Sequence, residues 1–249
     1  MIKAENISKR FGNSIVLQDI DFNVNSGEIF AFLGPNGAGK TTTIRIFTGL
    51  IKPTSGKALI NGIDVEKNPK EVKRIIGLLP DQPFVYPKLK GIEYLYFLCD
   101  MYGYKIPDYK QEIVRLSRLF DMEQHLEDLV ETYSHGMKQK LVLIGIFFRR
   151  PKVVFLDEPM VGLDPRSARV LKHIISDYAA SGTTFFISTH TLEIAEKLCN
   201  KICIIKSGQI ILLEDKENLL SHREHNKNLE EIFLELTGGF EVLELLNKL

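Results

Sequence analysis

Apolar and polar positions alternate imperfectly from Ile2 to Ile7 and from Ile15 to Val24, with Gly12-Asn13 between the runs. That spacing predicts two strands joined by a turn. The next run, Ile29-Phe30-Ala31-Phe32-Leu33, does not alternate. A short, wholly apolar stretch fits a strand buried on both faces, as in a parallel sheet. It opens into the glycine-rich segment Gly34 to Gly39, and a helix is predicted from Thr41 to Phe47. Gly56 to Gly62 and Ile75 to Leu79 read as further strands, the second ended by Pro80. From about Pro83 to Arg150 the period becomes helical: Ile92, Leu95, Tyr96 and Cys99 share one face, as do Ile113, Leu116 and Phe120. Strand-like runs return at Val153 to Leu156, Thr184 to Ser188, Ile202 to Ile205 and Ile210 to Leu213, with helices predicted from Pro165 and Thr191.

Strands alternating with helices predict an α/β fold with a mostly parallel sheet, an antiparallel β part near the N-terminus and a helical insertion. On this reading residues 1–82 and 151–220 form a discontinuous core, 83–150 the inserted helical subdomain and 221–249 a helical tail. In the tail, Leu229, Ile232, Phe233 and Leu236 form a stripe at helical spacing that is expected to dock back on the core. Gly238-Gly239 ends that helix, and the apolar segment Phe240 to Leu249 follows.

Composition narrows the function classes. Lys plus Arg and Asp plus Glu both number 32, whereas a nucleic-acid binder shows a basic surplus or stripe; nucleic acid is therefore not an expected partner. The longest apolar run, Leu141 to Phe148, falls far short of the roughly 20 residues of a membrane-spanning helix. Met1 to Asn6 shows no signal-peptide pattern, so the chain is not expected to cross a bilayer itself. Cys99, Cys199 and Cys203 fit no disulfide framework and lack the neighbours of a zinc site, which leaves reduced thiols as the expectation.

The strongest chemical signal is Gly34-Pro35-Asn36-Gly37-Ala38-Gly39-Lys40-Thr41, the G-x-x-x-x-G-K-[ST] pattern of a P-loop NTPase core, placed between a buried strand and a helix. Glycines let backbone N–H groups close around phosphate oxygens, and the helix that follows points its positive end at them. Lys40 reaches the β- and γ-phosphates in such a loop, and the Thr41 hydroxyl binds Mg²⁺. Nucleotide is thus expected on residues 34 to 42, Thr42 included. Val153-Val154-Phe155-Leu156-Asp157-Glu158 delivers two carboxylates at a buried strand's C-terminal end, where α/β sheets bind ligands. Asp157 suits the Mg²⁺ shell, and Glu158 suits a general base acting on water.

With Tyr133-Ser134-His135-Gly136-Met137-Lys138-Gln139, Gly162-Leu163-Asp164-Pro165 and Ser188-Thr189-His190 in that order, the chain resembles the ATP-binding cassette family from about Met1 to Leu220. The first segment is similar to the family's signature motif, the second to its D-loop and the third to its switch histidine. The resemblance implies a head-to-tail dimer with two ATP molecules at the interface. Each nucleotide is then held by the phosphate loop of one copy and by Ser134, His135 and Gly136 of the other. Phe11 stands where the family stacks an aromatic ring on adenine, His190 where it contacts the γ-phosphate, and Asp164 where it links the two sites.

Two departures follow. The family keeps glutamine in the loop after the Ile75 to Leu79 strand; here Asp81 holds that place, with Gln82 next. A carboxylate there still binds Mg²⁺ or water, so Asp81 joins Glu158 and His190 among the catalytic candidates and Thr41 and Asp157 among the metal ligands. His135 and Met137 replace the signature's usual glycine and glutamine.

The function implied is an ATP-hydrolysing motor on the cytoplasmic face of a membrane. Its partners are a separate transmembrane permease and a second cassette subunit, and it touches the membrane only through the permease. A loose likeness of Leu229 to Thr237 to exporter cassettes leans this towards export. A soluble cassette acting on ribosomes or DNA lacks support, since the tandem cassettes or long coiled coils of such proteins are missing. A non-hydrolysing regulator is disfavoured by the presence of Glu158. Phe84, Tyr86, Tyr94, Tyr96, Phe97, Tyr102 and Tyr104 concentrate in the segment where the family's permeases dock. Most of them are expected inside the subdomain, with Tyr86 the candidate partner contact.

Overall fold

The computed structural model describes residues 1–221 and 229–238. Strands β1 (Ile2–Phe11) and β2 (Ser14–Val24) form a hairpin, and β3 (Ile29–Leu33) leads through the glycine-rich loop to helix α1 (Lys40–Phe47). Then come β4 (Ser55–Ile60), β5 (Ile63–Asp64), α2 (Pro69–Ile75) and β6 (Ile76–Leu79), followed by α3 (Gly91–Tyr102), α4 (Ile106–Leu119) and α5 (His135–Phe147). The chain closes with β7 (Val153–Asp157), α6 (Pro165–Ala180), β8 (Thr184–Thr189), α7 (Leu192–Leu198), β9 (Lys201–Lys206), β10 (Gln209–Asp215), α8 (Lys216–Ser221) and α9 (Leu229–Thr237). The described segment therefore has the mixed α/β architecture that the pattern predicts, with β5, α2 and α8 as additional short elements.

One sheet is antiparallel, in the order β2-β1-β4-β5. The other has the order β10-β9-β3-β8-β7-β6, parallel except for the edge strand β10. Strands β3, β7 and β8 are buried at every position, because both faces of this sheet are covered. Alternation divides their side chains. Ala31, Leu33, Val154, Leu156, Phe185 and Ile187 join one hydrophobic cluster with Leu95, Cys99, Ile113, Leu116 and Phe120 of the helical insertion. Phe30, Phe32, Val153, Phe155 and Phe186 join the other, beneath the antiparallel sheet. The insertion thus covers one face of the sheet, with α5 lying against β6 and with α3 and α4 packed on α5.

The second cluster fixes the phosphate loop. Phe47, at the end of α1, lies 5.5 Å from Phe22 and 6.0 Å from Phe155 between ring centroids. Clamped between the two sheets, α1 cannot rotate without unpacking aromatic rings, so its N-terminus keeps a fixed aim.

The aromatic segment divides much as expected, with most rings at least half covered and Tyr86 exposed. Tyr94 is buried, Tyr96, Tyr102 and Tyr104 are half-buried, and Phe84, Tyr86 and Phe97 are exposed. Tyr86 sits edge-on to both Phe84 and Phe97, at 6.0 and 5.3 Å between centroids. All three cysteines are buried and free. In the tail, Leu229, Phe233 and Leu236 of α9 pack on the core. Gly239 and the segment from Phe240 to Leu249 lie outside the described residues.

Candidate nucleotide site

The loop between β3 and α1 is built on close backbone approaches. A Cβ at Gly34 would lie 2.4 Å from the Ile205 carbonyl oxygen, and Gly39 has φ +109° with Leu17 Cδ2 2.5 Å from where its Cβ would stand. Neither position accepts a side chain. The Lys40 ammonium folds back into the loop, donating to the carbonyls of Gly34 (2.7 Å) and Pro35 (3.2 Å). Burial lowers its pKa, while the nearby Glu158 and Asp157 carboxylates oppose that shift. Such an ammonium, held by neutral carbonyls at a helix N-terminus, is suited to exchange these contacts for phosphate oxygens.

The acids arrive from β7. Asp157 accepts from Thr41 Oγ1 at 2.7 Å and from Ser188 Oγ at 2.6 Å. Burial raises its pKa, and the two hydroxyls counteract that by hydrogen-bonding its charged form. Glu158 leaves the strand with φ +49°, a left-handed conformation for a non-glycine residue. Its N–H, donating to the Ser188 carbonyl at 2.9 Å, holds that strain in place. Its carboxylate is gripped twice, by Thr189 Oγ1 at 3.0 Å and by His190 Nδ1 at 2.8 Å. Facing a carboxylate, Nδ1 is the protonated ring nitrogen.

These groups open on one cleft of about 570 Å³, lined by Val16, Asn36, Gly37, Gly39, Lys40, Thr41, Thr42, Asp81, Asp157, Glu158, Val161 and His190. The Thr41 hydroxyl and the Asp157 and Asp81 carboxylates are hard oxygen donors. Magnesium takes such donors few at a time, together with water and phosphate. The donor set therefore fits Mg²⁺ arriving with a triphosphate.

Other expected site residues lie elsewhere. Phe11 is 52% exposed, does not line the cleft, and carries Lys9 Nζ 4.8 Å above its ring centroid. Ser134 is exposed as the N-cap of α5, its Oγ accepting from Met137 N–H at 3.3 Å, and His135 beside it is also exposed. Neither they nor Gly136 line the cleft. Asp164 is the N-cap of α6, accepting from Ser167 N–H at 2.8 Å, and pairs with Lys140 of α5 at 2.7 Å.

Lys140, and then Ser167, hold the Asp164 carboxyl well below the usual carboxylate range. A depressed folded pKa contributes stability that is present above the unfolded value of about 3.9 and is lost only as pH falls towards the folded one. Asp164→Ala is expected to cost about 1 kcal/mol as a lost cap, lowering Tm by about 2–4 °C at neutral pH. Thermal melts of the two proteins at pH 7 check this.

Thr189 and Ser188 are functional neighbours to which sequence reasoning gave no task. Parallel pairing of β7 with β8 sets Asp157 opposite Ser188. The signal was a hydroxyl pair ending one buried strand and an acid pair ending another, legible only once the two strands are known to be neighbours.

Residues 17–161, more than half of the chain, match the model of the family described as ABC transporter. The chain belongs to the ABC transporter family. It is 34% identical over 221 residues to the linearmycin resistance ATP-binding protein LnrL of Bacillus subtilis (strain 168), covering 89% of this chain and 71% of that protein. Over 216 residues it is 35% identical to the SkfA peptide export ATP-binding protein SkfE of the same organism, covering 85% and 87%. A solved structure of an ATP-binding subunit of an ABC transporter superposes with a TM-score of 0.90 at 30% identity, covering 95% of this chain and 99% of that one. The cassette is accordingly an ATP-binding, ATP-hydrolysing transporter subunit using ATP with Mg²⁺. Subunits of this family form dimers and work with a transmembrane permease. Among the described residues, no helix is long and apolar enough to cross a membrane.

Proposed function

We propose that this cassette powers export through a separate membrane subunit, by ATP-driven closure of a head-to-tail dimer on the cytoplasmic face. The observation that carries the dimer is the separation of two half-sites: Lys40, Asp157 and Glu158 share a cleft that Ser134 and Gly136 do not line. A second copy reversed against the first brings the missing donors to each nucleotide. Residues 34 to 42 hold the phosphates, and Phe11, exposed with Lys9 over one ring face, stacks on the adenine with the other. Thr41, Asp157 and Asp81 hold Mg²⁺, which when bound neutralises phosphate charge. Glu158 takes a proton from water as the water oxygen bonds to the γ-phosphorus and the bond to the bridging β–γ oxygen breaks. His190 and Thr189 orient Glu158, and His190 contacts the γ-phosphate. The direction of transport is supported by the relatives named for peptide export and antibiotic resistance.

The exposed Phe84, Tyr86 and Phe97 rings suit the permease contact, since aromatic anchors dominate such interfaces. With the tagged cassette purified from native membranes, a polytopic protein is expected to co-purify. Replacing Phe84 and Tyr86 together by alanine is expected to cut its recovery about tenfold or more, while the isolated cassette keeps its ATP turnover. Recovery with ribosomes, or undiminished recovery of the membrane protein, would contradict this docking.

A further inference from the structure

The loop that carries Glu158 is bound to the signature helix of its own chain. Gln139 of α5 is 3% exposed, and its Nε2 donates to the Pro159 carbonyl at 2.8 Å. Pro159 follows Glu158 directly. Lys140, with a side chain only 13% exposed, pairs with Asp164 at 2.7 Å at the far end of the same loop. Between these two ties the helix and the loop touch without room for further atoms. A Cβ on Gly136 would lie 2.5 Å from the Gly162 carbonyl oxygen, and one on Gly162 would lie 2.8 Å from the His135 ring. The loop is itself stiffened by turn bonds from Val161 N–H to the Glu158 carbonyl and from Leu163 N–H to that of Met160. Helix and loop are therefore tied at both ends and in close contact between them.

We propose that Gln139 is a positioning residue for Glu158: it transmits the placement of the signature helix to the carboxylate of the same chain. The proposal rests on the head-to-tail reading. There, Ser134 at the start of α5 meets the nucleotide bound by the other copy. Any shift of α5 on that contact reaches the Pro159 carbonyl through the buried Gln139 amide, and so sets where Glu158 points. A site thereby hydrolyses efficiently only when its own chain has also engaged the opposite nucleotide. Gln139 touches no reacting atom. It acts through the backbone next to the residue that does, and small displacements of a catalytic group are sufficient to change turnover strongly.

Mixed dimers test this, because a structural effect and a positioning effect fall on different copies. The parent pair joins one unaltered copy to one Glu158→Gln copy, leaving a single hydrolysing site. Gln139→Met in the unaltered copy is expected to lower kcat about tenfold or more, with KM for ATP within about twofold of the parent. The same change in the Glu158→Gln copy is expected to retain the parent rate, since the carboxylate it would position is already silent. Equal losses in both placements, loss only in the silent copy, or no loss in either would overturn the proposal. Should Gln139→Met fail to fold, Lys140→Met takes its place with the same dependence on copy expected and the same contrary outcomes. A parent pair that never assembles on ATP contradicts the head-to-tail reading, and this proposal with it.

Discussion

Replacing Glu158 with glutamine is expected to leave ATP bound and to lower its turnover by about two to four orders of magnitude, the usual contribution of a positioned general base. The amide has the shape of the carboxylate, and its oxygen still accepts from Thr189 or His190, which now reach the residue at 3.0 and 2.8 Å. It cannot take a proton from water. Removing a negative charge beside the phosphates also favours the bound nucleotide, so affinity should hold or rise. Phosphate release measured beside fluorescent-nucleotide binding separates the two quantities. Turnover within about threefold of the parent would mean that another group is the base.

Lys40→Ala is the second large effect. The lysine now satisfies the carbonyls of Gly34 and Pro35, contacts that charge-assisted bonds to phosphate are expected to replace when nucleotide binds. Losing a charged donor of that kind removes about 3 kcal/mol or more, a hundredfold or more in Kd. The fold should tolerate the change, because the Lys40 side chain bridges only its own loop while α1 is held from the other end by Phe47. Equilibrium binding of ATP is the measurement. Parental affinity would remove the phosphate-loop assignment.

Much of this molecule was legible in linear order because its signals are local. The unbroken run Ile29 to Leu33 announced a strand buried on both faces, and β3 is one. The glycines after it announced a loop whose backbone closes around phosphate, and at Gly34 and Gly39 the close neighbours that leave no room for a side chain are Ile205 and Leu17. What the sequence concealed depends on neighbours distant along the chain. The grip of Thr189 on Glu158 follows from β8 lying beside β7. Helix α5 is buried nearly all round, from Gln139 to Phe147, so no polar face revealed which side meets the loop after Glu158. The contact of Gln139 with Pro159 was invisible for that reason. Tyr86 was expected at the surface, but the exposure of Phe84 and Phe97 beside it went unrecognised for another reason. An aromatic-rich segment reads as core by composition, whereas these three rings pack on one another at the surface.

Asp81 stands in the cleft beside Asp157 and Glu158. Three carboxylates around one phosphate loop repel a polyanion unless cations intervene, which makes Mg²⁺ and Lys40 the groups on which nucleotide binding depends. In the head-to-tail dimer proposed above, the Ser134 hydroxyl and backbone N–H groups of the second copy would add neutral donors to the γ-phosphate without adding charge.

The central claim, that two reversed copies enclose the nucleotide, is tested most directly by the mass in solution of the Glu158→Gln protein with ATP and Mg²⁺. The account predicts a dimer that forms on ATP, dissociates when ATP is removed, and is abolished by Ser134→Arg. A protein that remains monomeric when saturated with ATP, or a dimer indifferent to Ser134, would contradict it.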